Sequence, residues 1–99
     1  MALIDVYNIL YADSTLRSRV QAACFLAGQA VVIESAGTAN HTNRLKWAAA
    51  VDTDPKAATD RMMKHVAANA TVQINKGVAT DSDLQFIVNS AVDAEANRL

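Results

Sequence analysis

Two histidines, one cysteine and a pair of aspartates ahead of the single proline are the residues of this chain whose chemistry could exceed packing. Neither His41 nor His65 has a second histidine four residues away, and no His-Glu-x-x-His run exists. A zinc site would have to gather its ligands from separate elements. The two read as a loop histidine and a helix-surface histidine. Asp52 and Asp54 place two carboxylates before Pro55. A calcium loop needs further oxygen ligands at fixed spacing and a glycine, which this stretch lacks, so helix capping accounts for the pair. Cys24 sits in the apolar run from Ala22 to Ile33 and reads as a packed core thiol rather than a nucleophile. Ser14, Ser18, Ser35, Ser82 and Ser90 stand in no Gly-x-Ser-x-Gly elbow. With only Gly28, Gly37 and Gly77, no glycine-rich phosphate loop can be built. Arg17 and Arg19 could each meet a phosphate, but they project from different faces of one helix and read as solvated or ion-paired. No catalytic, cofactor or metal site is expected.

Composition agrees with that absence. The chain has 99 residues, nine Lys+Arg against ten Asp+Glu, and a formal charge of -1. Near-neutral charge removes the electrostatic argument for a dedicated nucleic-acid or anionic-membrane binder. A hydrophobic share of 52% with 19% charged residues is globular, and 20 alanines make much of that hydrophobicity small. One domain, residues 1–99, is expected. The lone cysteine excludes an internal disulfide and fits a reducing compartment. The first residues carry no basic stretch of a secretory signal, and the apolar run 22–33 is short of the roughly 20 residues a membrane helix needs. The sequons Asn40-His41-Thr42 and Asn69-Ala70-Thr71 then carry no glycan.

Apolar spacing of three and four predicts an all-α bundle of four to five helices around one long central helix. Leu3, Val6, Tyr7 and Leu10 mark a short helix over 2–10. Asp13 or Ser14 can cap the next, which carries Leu16, Val20, Ala23, Ala27 and Val31 and is expected to run to Ala36, with Gly37 as a left-handed C-cap. Thr38 to Thr42 reads as a polar loop. A third helix over about 43–51 carries Leu45, Trp47, Ala48 and Val51. Asp54 suits the N-cap and Pro55 the first turn of a fourth helix with Ala58, Met62, Val66 and Ala70 on one face and an Asp60–Lys64 pair on another. Val72 and Ile74 alternate with polar residues, so 71–79 is either a small β-hairpin or a frayed helix end. The last helix opens at 80–83, with Ser82 and Gln85 at capping-box spacing and a stripe of Leu84, Ile87, Val88, Ala91 and Ala94.

Charge is uneven along the chain. Residues 44–76 hold six basic and three acidic residues, net +3, whereas 81–99 hold four acidic and one basic, net -3. This suits head-to-tail contact between copies; the alternative is solvated faces of one monomer. Trp47 is either a core anchor beside Val51 or an interface anchor. If subunit contacts carry the function, the candidate residues are Arg44, Trp47, Lys56, Arg61, Lys64, Asp81, Asp83, Asp93 and Glu95.

The pattern of Leu16-Arg17-Ser18-Arg19-Val20-Gln21-Ala22-Ala23, Ala30 to Glu34, Arg44-Leu45-Lys46-Trp47-Ala48, Asp54-Pro55 and Thr80-Asp81-Ser82-Asp83-Leu84 with Ile87-Val88 resembles small helical virion proteins of tailed bacteriophages. It is a helix-and-cap pattern spread over most of the chain. The resemblance implies a structural, non-enzymatic head–tail connector, or adaptor, at the neck. It implies a homo-oligomeric ring, commonly of about twelve copies, joining portal to tail or stopper proteins around a channel through which DNA passes without specific binding. No membrane partner and no cofactor are implied. The place would be the virion, assembled in the host cytoplasm. Other readings are another capsid- or tail-associated virion protein, or a non-viral cytoplasmic helical binding module.

Overall fold

The computed structural model describes residues 3–29, 37–75 and 77–99 of the chain. Among them are six helices and no strand: α1 (Leu3–Tyr11), α2 (Ser14–Gln29), α3 (Ala39–Thr53), α4 (Pro55–Ala68), α5 (Ala70–Asn75) and α6 (Asp81–Ala96). The all-α bundle expected from apolar spacing is the observed architecture.

Side-chain caps set most of the boundaries. The Asp13 carboxylate accepts the Leu16 N–H at 2.9 Å and starts α2. Thr38, extended at φ -82° and ψ 158°, accepts the His41 N–H through its hydroxyl at 3.1 Å. That cap starts α3 at Ala39 and converts most of the polar loop expected over 38–42 into helix. Asp54 ends α3 and caps α4: its N–H donates to the Ala50 carbonyl, its carboxylate accepts from Ala57 N–H at 3.1 Å, and Pro55 follows where no N–H is needed. The described residues of 71–79 form no hairpin. Asn69 takes an extended conformation, accepts the Val72 N–H at 3.2 Å and begins the short α5. The last helix is capped two residues earlier than Ser82. Thr80 and Asp83 form the capping box, with Asp83 N–H to Thr80 Oγ1 at 3.1 Å and Thr80 N–H to Asp83 Oδ2 at 3.2 Å.

Helix α2 is central and packs against α1, α3, α4 and α6. Its buried stripe is Leu16, Val20, Ala23, Cys24, Ala27 and Gly28. The remainder of the long helix expected to reach Ala36 falls on residues outside those described. Gly37 has φ +85°, a backbone conformation that suits glycine and strains other residues. Around α2 the core is filled by Leu10, Trp47, Val51, Met62, Met63, Val66, Leu84, Val88 and Val92. Alanine and glycine let α2 and α3 approach closely: a Cβ at Gly28 would stand 3.0 Å from Ala48 Cα.

Three faces are turned from the expected ones. In α3, Leu45 is exposed and Trp47 faces inward. Ala70 lies beyond the end of α4 and is exposed. In α6 the buried stripe is Leu84, Val88, Ala91, Val92, Glu95 and Ala96, whereas Ala94 points outward. The stripe turns because the larger Val92 gains more from burial than Ala94, which brings Glu95 inward with it. No helix among the described residues is long and apolar enough to cross a membrane.

Candidate interaction surface

Several polar side chains bolt one helix to another. Trp47 Nε1 donates to the Cys24 carbonyl at 3.1 Å, Arg44 Nη1 donates to the Ala27 carbonyl at 3.1 Å, and Gln85 Nε2 donates to the Ala23 carbonyl at 3.0 Å. Three side chains from α3 and α6 thus hold consecutive turns of α2. Arg19 reaches the other way, donating through Nε to Asp81 at 2.8 Å and through a terminal nitrogen to the Ala79 carbonyl.

The most buried charge among the described residues is Glu95, 2% exposed. Its Oε1 lies 2.8 Å from His65 Nε2 and 3.4 Å from Arg98 Nη1, and its Oε2 lies 3.5 Å from Arg61 Nη1. Burial works against the Glu95 charge. The hydrogen bond and charge of His65, followed by Arg98 and Arg61, outweigh it and hold the carboxyl below its ordinary range. The signal for this site was present in sequence, since Glu95 continues the buried stripe one turn beyond Ala91 and Val92. His65 was the missed member. It stands on α4 beside the buried Met62 and Val66, and only the packing of α4 on α6 pairs it with Glu95.

The nine residues expected at a subunit contact are largely engaged within the chain. Trp47 is wholly buried and is a core anchor; Glu95 is likewise internal. Arg61 spans to Glu95, Asp81 to Arg19, and Asp93 accepts from Asn43 at 2.9 Å. Arg44 is held by Ala27 and, at 3.4 Å, by Asn89. Asp83 is the capping acid of α6. The expected Asp60–Lys64 pair is replaced: Asp60 turns to Lys56 at 3.6 Å and to Arg17 at 3.8 Å, whose guanidinium lies 4.8 Å from the centre of the Tyr11 ring. The Lys56 ammonium is favoured first by a hydrogen bond to Tyr11 and then by the Asp60 charge, which raises its pKa. Lys64 is exposed and without an ion pair among the described residues. The basic and acidic halves of the sequence therefore meet partly inside one molecule, where α4 packs on α6.

Among the described residues, two of the open surfaces are apolar ones at the α3–α4 and α5–α6 ends. One is an apolar groove of about 520 Å³ between the end of α3 and the start of α4, floored by Trp47, Ala50 and Ala58, walled by Ala49, Ala57 and Leu99, and bordered by Lys46 and Arg61. The other is the α5–α6 corner, where Ile74, Val78 and Phe86 are 80%, 74% and 74% exposed. Phe86 borders a small cleft with Thr71 and Val72, and Ile74 lies one turn beyond Thr71 on α5.

Neither surface gathers chemistry. Burial pushes the Cys24 thiol up to about 12, which removes its thiolate at neutral pH. No group of three or more His, Cys, Asp or Glu side chains among the described residues could hold a metal ion. Comparison with protein families, with curated proteins and with solved structures finds no match for this chain.

Proposed function

We propose that this chain is a non-enzymatic packing subunit that works by docking its surface against other proteins. The observation that carries the reading is the exposure of Ile74, Val78 and Phe86, three large apolar side chains left in water outside the buried core. Large apolar side chains left exposed on a small domain suit a role in docking to other proteins. Within that class, the sequence resemblance supports a head–tail connector subunit of a tailed-phage particle. Such a subunit would sit at the neck in a homo-oligomeric ring, between the portal and a tail or stopper protein, in a virion assembled in the host cytoplasm. A formal charge of -1 suits a ring that lets DNA pass without gripping it.

The test is the mass of the purified protein in solution, followed by imaging of particles from a phage that carries its gene. Assembly in solution or in the neck supports the reading. A protein that stays monomeric and is missing from the particles refutes it.

A further inference from the structure

We infer that Arg61, His65 and Arg98 form a binding site for the phosphate group of a small molecule, held in shape by the buried carboxylate of Glu95. The site stands apart from the packing-subunit reading, because it calls for a ligand rather than a partner chain.

Glu95 is a single anion shared among two guanidiniums and an imidazole. Its Oε1 lies 2.8 Å from His65 Nε2 and 3.4 Å from Arg98 Nη1, and its Oε2 lies 3.5 Å from Arg61 Nη1. One carboxylate cannot neutralise two guanidiniums, so the cluster keeps a net positive charge even with His65 neutral. The acid is hidden and the bases are not. The Glu95 side chain is 3% exposed, whereas those of His65, Arg61 and Arg98 are 32%, 44% and 66% exposed. Solvent therefore meets the cationic side of the cluster. Each guanidinium gives Glu95 one N–H and keeps the rest of its planar fork of donors. Two such forks and an imidazole around a common point match the oxygens of a phosphate group, which accepts several charge-assisted hydrogen bonds at once.

The surrounding charges reinforce the site. Lys64 stands three residues after Arg61 on α4, is exposed, and forms no ion pair among the described residues. Lys46 of α3 lines the same groove as Arg61. The nearby acids are engaged elsewhere: Asp60 with Arg17 and Lys56, Asp93 with Asn43, and Asp54 as the cap of α4. Glu95 also sets the geometry. Arg61 and His65 stand one turn apart on α4, Glu95 is on α6, and Arg98 follows in the turn after α6. The packing of α4 on α6 thus positions the two forks before any ligand arrives, which lowers the entropic cost of binding. The cluster is one focus rather than a track, and the chain as a whole carries a charge of -1. It suits a single phosphoryl or diphosphate group rather than a nucleic-acid backbone, whose grip needs many spaced cations.

The experiment titrates the full chain with pyrophosphate, read by amide NMR at an ionic strength held constant with sodium chloride. The wild type is expected to show saturable shifts centred on Arg61, His65 and Arg98. Arg98→Gln removes an exposed guanidinium beyond the last helix. It should keep the wild-type helix content by circular dichroism and bind pyrophosphate at least roughly tenfold more weakly. Arg61→Gln should do the same. Lys56→Gln, whose lysine pairs with Asp60, should bind like the wild type. Pyrophosphate at roughly ten times its Kd should raise the wild-type Tm by at least about 5 °C, and that of Arg98→Gln by far less. Shifts that never saturate, or that are equal in the wild type and Arg98→Gln, are those of a general salt and overturn the site. Should both arginine-to-glutamine variants misfold, Arg98→Lys keeps the charge without the fork; it should bind more weakly than the wild type, and equal binding overturns the site. A short DNA duplex is the second arm. A duplex that binds no better than pyrophosphate at equal phosphate concentration supports the small ligand. One that binds more tightly, and loses that grip in Arg98→Gln, overturns the small-molecule assignment.

Discussion

Trp47→Ala is the sharpest test of how this fold is held. The indole is completely buried, lies between α3 and α2, and donates its N–H to the Cys24 carbonyl at 3.1 Å. Removing a buried Trp side chain costs about 3–5 kcal/mol through lost transfer energy and the cavity that remains. The hydrogen bond accounts for only about 0.5–1.5 kcal/mol of that, because the Cys24 carbonyl keeps its place in the α2 ladder. A domain of 99 residues has about 5–15 kcal/mol of stability in all. Each kcal/mol lost moves Tm by about 4–8 °C at this size, so Trp47→Ala should lower Tm by about 12–40 °C. Trp47→Phe keeps an apolar ring and should cost less, about 1–3 kcal/mol. Because the chain has one tryptophan, unfolding should be followed by far-ultraviolet circular dichroism in urea rather than by fluorescence. Runs at two concentrations separate folding from assembly, since a core defect shifts the midpoint equally at both. A Trp47→Ala protein with the wild-type midpoint would refute the core placement. One that folds normally but loses self-association would return Trp47 to an interface.

Gly28→Ala should destabilise by about 1–3 kcal/mol despite the better helix propensity of alanine, because the new methyl meets the α3 backbone at Ala48; thermal denaturation reads this directly. The folded Glu95 carboxyl titrates below its ordinary value, so its stabilisation is present above the ordinary carboxylate range and is lost as pH falls through the folded value. Glu95→Gln should therefore flatten the acid side of the stability-versus-pH curve, measured by urea midpoints from neutral to acid pH; an unchanged acid slope would show that Glu95 is not linked to folding. Cys24, buried and with its thiol pushed up to about 12, should resist iodoacetamide at neutral pH until the protein is unfolded in urea. Rapid labelling of the native protein, read by mass spectrometry, would contradict its burial.

Local chemistry made most of the helices legible in the sequence. Asp54-Pro55 predicts the α3–α4 junction because a capping carboxylate and a residue without an N–H satisfy a helix start using nothing beyond the next turn. The stripe Leu16, Val20, Ala23, Ala27 predicts the buried face of α2 because helical spacing alone puts those residues in line. Where two local solutions compete, neighbouring residues do not decide. Val72 and Ile74 alternate as a strand would, but Asn69 caps them into α5 and Val72 buries against the bundle, leaving no partner strand to pair with. Thr80 and Ser82 are both sound caps, and only the former closes a reciprocal bond with an acid three residues on. Which of the locally possible charge pairs forms is decided by tertiary structure. Asp60 and Lys64 have ideal helical spacing, yet Arg17 arrives from α2 and Asp60 turns to it and to Lys56. Glu95 counts in the sequence as one of four acids near the C-terminal end. The rotation of α6 against α4 makes it an internal ion, because His65 and Arg61, distant in the chain, come within reach only when the helices pack. For the same reason, spacing alone predicted a Trp47 anchor without saying for which surface. The carbonyl of Cys24, presented by a helix earlier in the chain, draws the indole inward.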